Sequence, residues 1–475
     1  AWAKKDKIVK LINDHDVVLI TGETGSGKST QVVQFLLDEI IQKEKSTTLL
    51  CTQPRRISAI GLAERVSDER CTNCGDEVGY IIRGVNKTSR NTRIKFMTTG
   101  VLVRILQGEH SFLNNTIVVI DEVHERSIDT DLIVTLLKNL VGKVKNMKIV
   151  LMSATVNVDL FKKFFPGLGT IHIEGRTFPI KDYFLDDILE QLDFKIKKNE
   201  RNRIYDEDGS EGSTDYDYLH PGADSRFFKS GQINYDLVSD VTMYVDKQLT
   251  REGNDGSIII FLPGVAEINK ACRLISENDT SNKFVVLPLH SALTPEDQKR
   301  VFKRYRNKRK IVVSTNIAET SITIDDCVAT IDTGKAKTMY YNARDNTSRL
   351  LESFISKAEA KQRRGRAGRV REGVSYKLFS KATYEEMVAM PAPEIKRIAL
   401  ESLYLSVKAM GIKNVTSFLA GGLEAPPSLA LEKAEKLLVT IGLLDDQSKA
   451  LTELGKFISL IPVMDIKYGK LLIYS

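Results

Sequence analysis

GETGSGKST, at positions 22–30, follows the apolar run Val17 to Thr21 and precedes a helical pattern that opens near Ser29. Residues 22–29 fit G-x-x-x-x-G-K-[ST] in full, and the strand before and helix after are the setting in which that pattern works. Gly22, Glu23, Thr24, Gly25, Ser26, Gly27, Lys28, Ser29 and Thr30 thus form a cradle whose glycines let backbone N–H groups wrap phosphate at a helix N-terminus. Lys28 reaches the β and γ phosphates, and the Ser29 hydroxyl is a Mg²⁺ ligand. The stretch predicts binding and hydrolysis of a nucleoside triphosphate. It also sets the fold class, because such a cradle belongs at the carboxyl end of a strand in a parallel α/β sheet.

Working outward, short β-branched runs alternate with helical patterns at Thr47 to Thr52, Ile117 to Asp121, Ile149 to Ser153, Ile258 to Leu262, Lys310 to Thr315 and Val328 to Asp332. Asp131 to Val144 places Leu132, Ile133, Leu136, Leu137, Leu140 and Val141 on one helical face, as a helix covering a sheet does. Residues 199–228 are rich in Asp, Glu, Ser and Gly without periodicity, which predicts a mobile polar insertion. After Pro391 the chain turns Leu-rich and helical, and it stops at KYGKLLIYS within an apolar helical pattern, so it is expected to be part of something longer.

The composition is that of a globular protein, with 42% hydrophobic and 28% charged residues in 475, more than one core usually accommodates. No apolar stretch approaches the roughly 20 residues that span a bilayer, and AWAKKDKIVKLI lacks a signal-peptide core; a soluble, intracellular protein without a membrane partner is expected. Five cysteines fit a reducing compartment, and the C-x-x-C pair Cys71 and Cys74 has no second pair at zinc-site distance, so ordinary thiols are expected. A net charge of +7 permits a polyanion partner without requiring one.

A second strand, Ile117 to Ile120, delivers Asp121 and Glu122 at its carboxyl end. Asp121 is expected to hold Mg²⁺, and Glu122, reaching the metal through water, to orient the attacking nucleophile. Far downstream, QRRGRAGR at 362–369 sets arginines three apart, which is expected to place them on one helical face where two guanidiniums converge on one anion. They could neutralise charge on a transferring phosphoryl group, or form a solvated or nucleic-acid-binding face.

In order along the chain, GETGSGKST (22–30), TQPRRISA (52–59), DEVH (121–124), SAT (153–155), FLPG (261–264), STNIAETSITID (314–325) and QRRGRAGR (362–369) resemble the helicase motifs of superfamily 2, and more narrowly the DEAH/RHA RNA helicases. GRTFPI (175–180) and the tail from PEIKR (394 onward) match the same layout. The resemblance implies an α/β chain of two tandem RecA-like parallel-sheet domains, 1–185 and 186–380, the second carrying the insertion. By the same resemblance a winged-helix domain at 381–455 and the start of a truncated, ratchet-like helical domain at 456–475 are expected to follow, with the family's C-terminal OB-fold module expected to be missing from these residues.

The resemblance also implies roles. Lys28, Ser29 and Asp121 handle phosphate and Mg²⁺; Glu122 and Gln362 hold the attacking water; Arg366 and Arg369 meet the γ phosphate. Arg65 and Phe302 sandwich the base, and Asp325 binds the ribose. Arg55, Arg56, Arg83, Thr98 and Thr99 of the first domain and Thr315 and Asn316 of the second contact the backbone of single-stranded RNA. His124, Ser153 and Thr155 link the nucleotide site to the RNA face, although a hydrogen-bonded strand end is an equal reading of Ser153 and Thr155. Val123 replaces the usual Ala of the tetrad and Thr99 the usual Asp of the TTG segment; neither supplies a catalytic group. The basic run Lys299 to Lys310 is read as the solvated side of a helix and loop around Phe302, and His290 as near nucleic acid or locally hydrogen-bonded.

The implied function is NTP-dependent translocation on RNA or ribonucleoprotein; of the two pathways common among similar helicases, ribosome biogenesis with rRNA processing is expected ahead of pre-mRNA splicing, with a nuclear or nucleolar location and a protein activator or pre-ribosomal partner. An RNA-binding scaffold without turnover is opposed by the intact Lys28, Glu122, Gln362, Arg366 and Arg369. A DNA-directed superfamily 2 motor is the other alternative, since backbone contacts serve either polymer. Stacking between Arg65 and Phe302 reads no base edge. Phosphate-release assays should therefore show comparable turnover of ATP, GTP, CTP and UTP, and turnover of ATP alone would contradict it.

Overall fold

Successive side chains of a strand point to opposite faces of its sheet, and in β1 (Val17–Gly22) both faces are dry: Val17 and Leu19 join one buried cluster, Val18 and Ile20 another. The same split recurs in β6 (Thr116–Ile120) and β7 (Lys148–Ser153), with Val118, Ile120, Ile149 and Leu151 on one side and Ile117, Val119, Val150 and Met152 on the other. A sheet covered on both faces needs apolar residues at every position, which is why these strands are unbroken aliphatic runs.

The computed structural model describes residues 1–475 apart from 24, 155–156, 176–177, 196–221, 224, 226–227, 229–231, 320–323, 462–465, 467 and 470–475. The chain divides into two units: unit 1 holds Ala1–Gly175, Met339–Leu350 and Ala392–Ser475, and unit 2 holds Arg176–Thr338 and Leu351–Pro391.

Unit 1 is built on an eight-stranded sheet that adds β2 (Thr48–Gln53), β3 (Val78–Ile82), β4 (Val85–Lys87), β5 (Ile94–Thr98) and β8 (Gly169–Ile173), in the order β4-β3-β5-β2-β6-β7-β1-β8. All pairings are parallel except β3 with β4. One face carries the helices Lys5–Asp14, Val33–Gln42 and Arg56–Glu69, through Ile8, Phe35, Leu37, Ala63 and Val66. The other carries Ile128–Leu140, and Leu132, Ile133, Leu136 and Leu137 of that helix share one core with Leu403, Leu431, Leu438 and Ile458 from the C-terminal helices Glu401–Ala409, Ser428–Thr440 and Glu453–Leu460.

A two-stranded ribbon, β14 (Lys335–Asn342) and β15 (Thr347–Phe354), is divided between the units, its Met339–Leu350 part belonging to unit 1. Unit 2 has a six-stranded, wholly parallel sheet of β9 (Ile180–Tyr183), β10 (Ser257–Phe261), β11 (Phe284–Leu289), β12 (Arg309–Ser314), β13 (Cys327–Asp332) and β16 (Gly373–Lys377) in the order β11-β12-β10-β13-β16-β9. Its core joins Ile258, Ile260, Ile311, Val313, Ala329 and Ile331 to Leu237, Val241 and Val245 of the helix Tyr235–Arg251.

Several sequence expectations shift. Ile180–Tyr183, read on the first-domain side of a boundary at 185, pairs with β16 of the second sheet. The helix read to Val144 stops at Leu140, because Val141 is extended and Gly142 is left-handed (φ 81°). In the basic run Lys299 to Lys310, the last two residues are neither loop nor solvated: they open β12, Arg309 pairing with Asp246 (2.8 Å) and Lys310 with Asp326 (2.9 Å). The polar insertion lies almost wholly outside the described residues, as does much of the stretch read as the start of a further domain.

Candidate active site

The cradle leaves β1 at Gly22, where a side chain would have its Cβ 2.4 Å from the Ile173 carbonyl oxygen in β8; only glycine lets that strand lie so close. Gly25 (φ 87°) and Gly27 (φ 79°) hold left-handed conformations that favour glycine. The chain then coils through one wide π turn, Lys28–Val32, into the helix Val33–Gln42; such turns recur at functional sites. Lys28 is buried (6% exposed), and its ammonium donates to the Gly22 carbonyl, the Glu23 carbonyl (2.9 Å) and Ser26 Oγ (3.2 Å). These contacts to the loop itself hold Nζ inside the cradle. Ser29 and Thr30 are half-buried, and Thr24 lies outside the described residues.

In the sheet, β7 lies between β1 and β6, and its last residue, Ser153, is level with Thr21. Asp121, just past β6, is 3% exposed; Gln53 Nε2 donates to its Oδ2 (2.7 Å) and the Glu122 amide to its Oδ1 (2.9 Å). Each oxygen keeps a lone pair, so the carboxylate is fixed and still able to ligate. Glu122 (φ 55°) and Arg126 (φ 49°) are left-handed on either side of the 3₁₀ turn Val123–Glu125, a conformation costing roughly 1–3 kcal/mol at each non-glycine residue. His124 is buried, and that burial lowers its pKa against the nearby Glu125 and Asp121 charges, so its ring is neutral at pH 7. Its Nδ1 accepts from the Ala154 amide (3.3 Å) and lies 3.4 Å from Ser153 Oγ. The proton therefore sits on Nε2, 3.4 Å from the Glu122 carboxylate. A chain of contacts thus runs from Glu122 through His124 to the end of β7, while Thr155 lies outside the described residues.

Arg65 is exposed and donates to Glu69 Oε1 (2.6 Å), while Gln31 and Gln34 donate to Oε2 (2.8 Å each). Burial would raise the Glu69 pKa, but donation from Arg65, Gln34 and Gln31 outweighs it and holds the carboxylate below its ordinary range. Arg65 is thereby tied to the helix that follows the cradle. The residues assigned to RNA in unit 1 share one sheet edge: Arg55 and Arg56 after β2, Arg83 after β3, and Thr98 and Thr99 at the end of β5. These strands lie on the opposite side of β6 from the cradle. Arg56 and Arg83 are exposed, Arg55 lies 3.9 Å from Glu125, and Thr99 is buried.

In unit 2, Gln362 is half-buried on the helix Lys357–Arg364, which a Ser356–Glu359 capping box opens. The helix ends at Arg364, so Arg363, Arg366 and Arg369 do not share a helical face; the last two lie in the turns that follow. Arg363 is 1% exposed and reaches Glu319 Oε2 (3.1 Å) and Asp332 Oδ1 (2.8 Å). Arg366, also buried, donates through Nε to the Glu319 carbonyl (2.7 Å). Burial pushes the Glu319 carboxyl up to about 8, with Arg363 opposing. Phe302 is 46% exposed, and Asp325 and Asn316 are exposed, with Thr315 at the end of β12.

A DEAD/DEAH box helicase family model matches residues 3–163, a helicase conserved C-terminal domain 240–371, and a winged-helix helicase-associated domain (HA2) 434–463. The chain belongs to the DEAD/DEAH box helicases. It is similar to a Saccharomyces cerevisiae protein that carries an ATP-dependent RNA helicase name (71% identical, over all of this chain and 33% of that one). It is also similar to the ATP-dependent DNA/RNA helicase DHX36 of Bos taurus (35%, over all of this chain and 50% of that one). Among solved structures, the DEAH/RHA helicase HrpB of Escherichia coli superposes with a TM-score of 0.80 at 27% identity, over all of this chain and 54% of that chain. The helicase chain therefore spans a third to a half of the length of these curated relatives.

Gln53, Glu319 and Arg363 of this helicase-family chain carry no role that their place in the sequence announces. Gln53 ends β2, and it meets Asp121 because β2 lies next to β6, an adjacency that only the fold displays; Glu319 and Arg363 stand 44 positions apart, with no local signal that they pair. Breaking a buried ion pair leaves an uncompensated charge, so Arg363→Met should cost about 3–5 kcal/mol, whereas Glu319→Gln, which imitates the protonated acid, should cost far less. The folded Glu319 pKa is raised, so the proton it retains stabilises fully below the ordinary value near 4.5, and that contribution is lost as pH rises through about 8. Melting temperatures across pH should show this loss in the parent and not in Glu319→Gln; parallel curves would refute it.

Proposed function

We propose that this chain is the motor portion of an NTP-dependent RNA helicase, hydrolysing ATP to move on and remodel RNA. The observation that carries the reading is the arrangement at the carboxyl edge of the unit 1 sheet: a phosphate cradle with a buried lysine stands two strands from a fixed Asp121 and its neighbour Glu122. The relatives' names support the nucleotide and the polymer.

Ser29 and Asp121 offer the hard oxygen donors that suit Mg²⁺, and Asp121 keeps lone pairs for it. When bound, the ion would neutralise phosphate charge. Lys28 binds the β and γ phosphates, and Glu122 accepts the proton of the attacking water with Gln362 orienting it. Arg366 and Arg369 meet charge on the γ phosphate, and Arg65, Phe302 and Asp325 hold the nucleoside. Along the other side of β6, Arg55, Arg56, Arg83, Thr98 and Thr99 bind phosphate and sugar without reading bases, as Thr315 and Asn316 do in unit 2. His124 connects the two through Ser153. Work on pre-ribosomal RNA in the nucleus or nucleolus, with a protein activator, is the biological setting we favour on family resemblance.

Phosphate release from ATP, with and without matched single-stranded RNA and DNA, tests the proposal. RNA should stimulate, and Glu122→Gln should lower kcat by about 10²–10⁴-fold while sparing nucleotide binding. Stimulation by DNA alone would reassign the polymer, and full turnover in Glu122→Gln would remove its role.

A further inference from the structure

Two positions past His124 the chain turns left-handed a second time, at Arg126, and part of what holds it there comes from the segment after Pro391. The Arg126 guanidinium is buried and engaged on every side. Nε and Nη2 donate to Oδ1 and Oδ2 of Asp131 (2.9 and 2.8 Å), and Nη1 donates to Oε2 of Glu424 (2.9 Å). Lys396 occupies the other Glu424 oxygen at 2.6 Å. The backbone is held as well: the Arg126 carbonyl accepts from the Glu394 amide (3.1 Å), and Glu394 Oε2 accepts from the Ile128 amide (2.8 Å). Burial would raise the Glu424 pKa, yet Lys396 and Arg126 hold it below the ordinary range, so it is charged at neutral pH.

A purely adhesive role explains little of this. Leu403, Leu431, Leu438 and Ile458 already fasten the C-terminal helices to unit 1 by apolar burial. Polar contacts with fixed directions add orientation instead, and they act on one short stretch. Gln53 and the Ala154 amide fix the Asp121–His124 segment from one end; Asp131, Glu394 and Glu424 fix it from the other.

We propose that Arg126 is a positioning residue, clamped by Glu424 and Glu394 from the segment after Pro391, and that this clamp sets the orientation of the turn carrying Glu122 and His124. The C-terminal segment thereby governs turnover rather than nucleotide affinity. The turnover part rests on the reading of Glu122 as the hydrolytic residue.

Glu424→Gln and Arg126→Lys in the whole chain test the clamp by two measurements. Hydrogen exchange should rise about tenfold for the amides of residues 122–128, whatever the activity. In ATP hydrolysis, kcat should fall about tenfold with KM and nucleotide-binding stoichiometry unchanged, since a small misplacement of a reacting group costs rate more than affinity. Unchanged exchange protection overturns the clamp. Raised exchange at the parent's kcat overturns its control of turnover, and a stoichiometry that falls with kcat marks a merely structural role. Should Arg126→Lys fail to fold, Glu424→Gln carries the test, its site being 28% exposed. Persistent turnover in Glu122→Gln would instead remove the hydrolytic reading and leave the exchange result standing.

Discussion

A charge taken out of water must be met by partners of fixed direction, and that requirement shapes the buried part of the candidate site. Lys28 is met by carbonyls and a hydroxyl of its own loop, Asp121 by the Gln53 amide and a backbone N–H, and Arg363 by two carboxylates. Each solution immobilises the groups that supply it. Reactive side chains are thus held by the same contacts that make their burial tolerable, and the left-handed conformation of Glu122 persists because its surroundings leave no looser alternative.

The sheet supplies the address. Parallel strands end along one edge, and the strand order places the cradle after β1 on one side of β6 and the exposed arginines after β2 and β3 on the other. Neighbours in the sheet are distant in sequence, so Gln53 and Asp121, 68 positions apart, meet at 2.7 Å. The left-handed Glu122 turn stands between the two groups, with His124 leading from it to the end of β7.

How much of this the sequence disclosed follows burial. β1, β2, β6, β7, β10, β12 and β13 were legible because strands dry on both faces carry apolar runs, and the cradle because its glycines leave a fixed spacing. Strands with exposed residues were not: β4 is exposed at every position, and β8 and β9 alternate irregularly, so no period marked them. Residue identity located Lys28, Asp121 and Glu122, but their supports are ordinary Gln, Ser and Glu residues defined by who lies beside them. The two ends of the basic run differ for the same reason: Lys299 and Arg300 stay in solvent, whereas Arg309 and Lys310 are captured by Asp246 and Asp326, carboxylates contributed by distant segments.

The core beneath the helix Ile128–Leu140 is shared between residues near the start of the chain and residues after 392, with unit 2 encoded between them. During synthesis, Leu132, Ile133 and Leu136 therefore wait for Leu403 and Leu438 on the order of tens of seconds at translation rates of about 5–20 residues per second. Unit 1 closes its sequence loop only after a whole second sheet has emerged. Its nascent form carries an uncovered apolar face for that interval, which makes the order of folding a problem of keeping that face from the wrong partner.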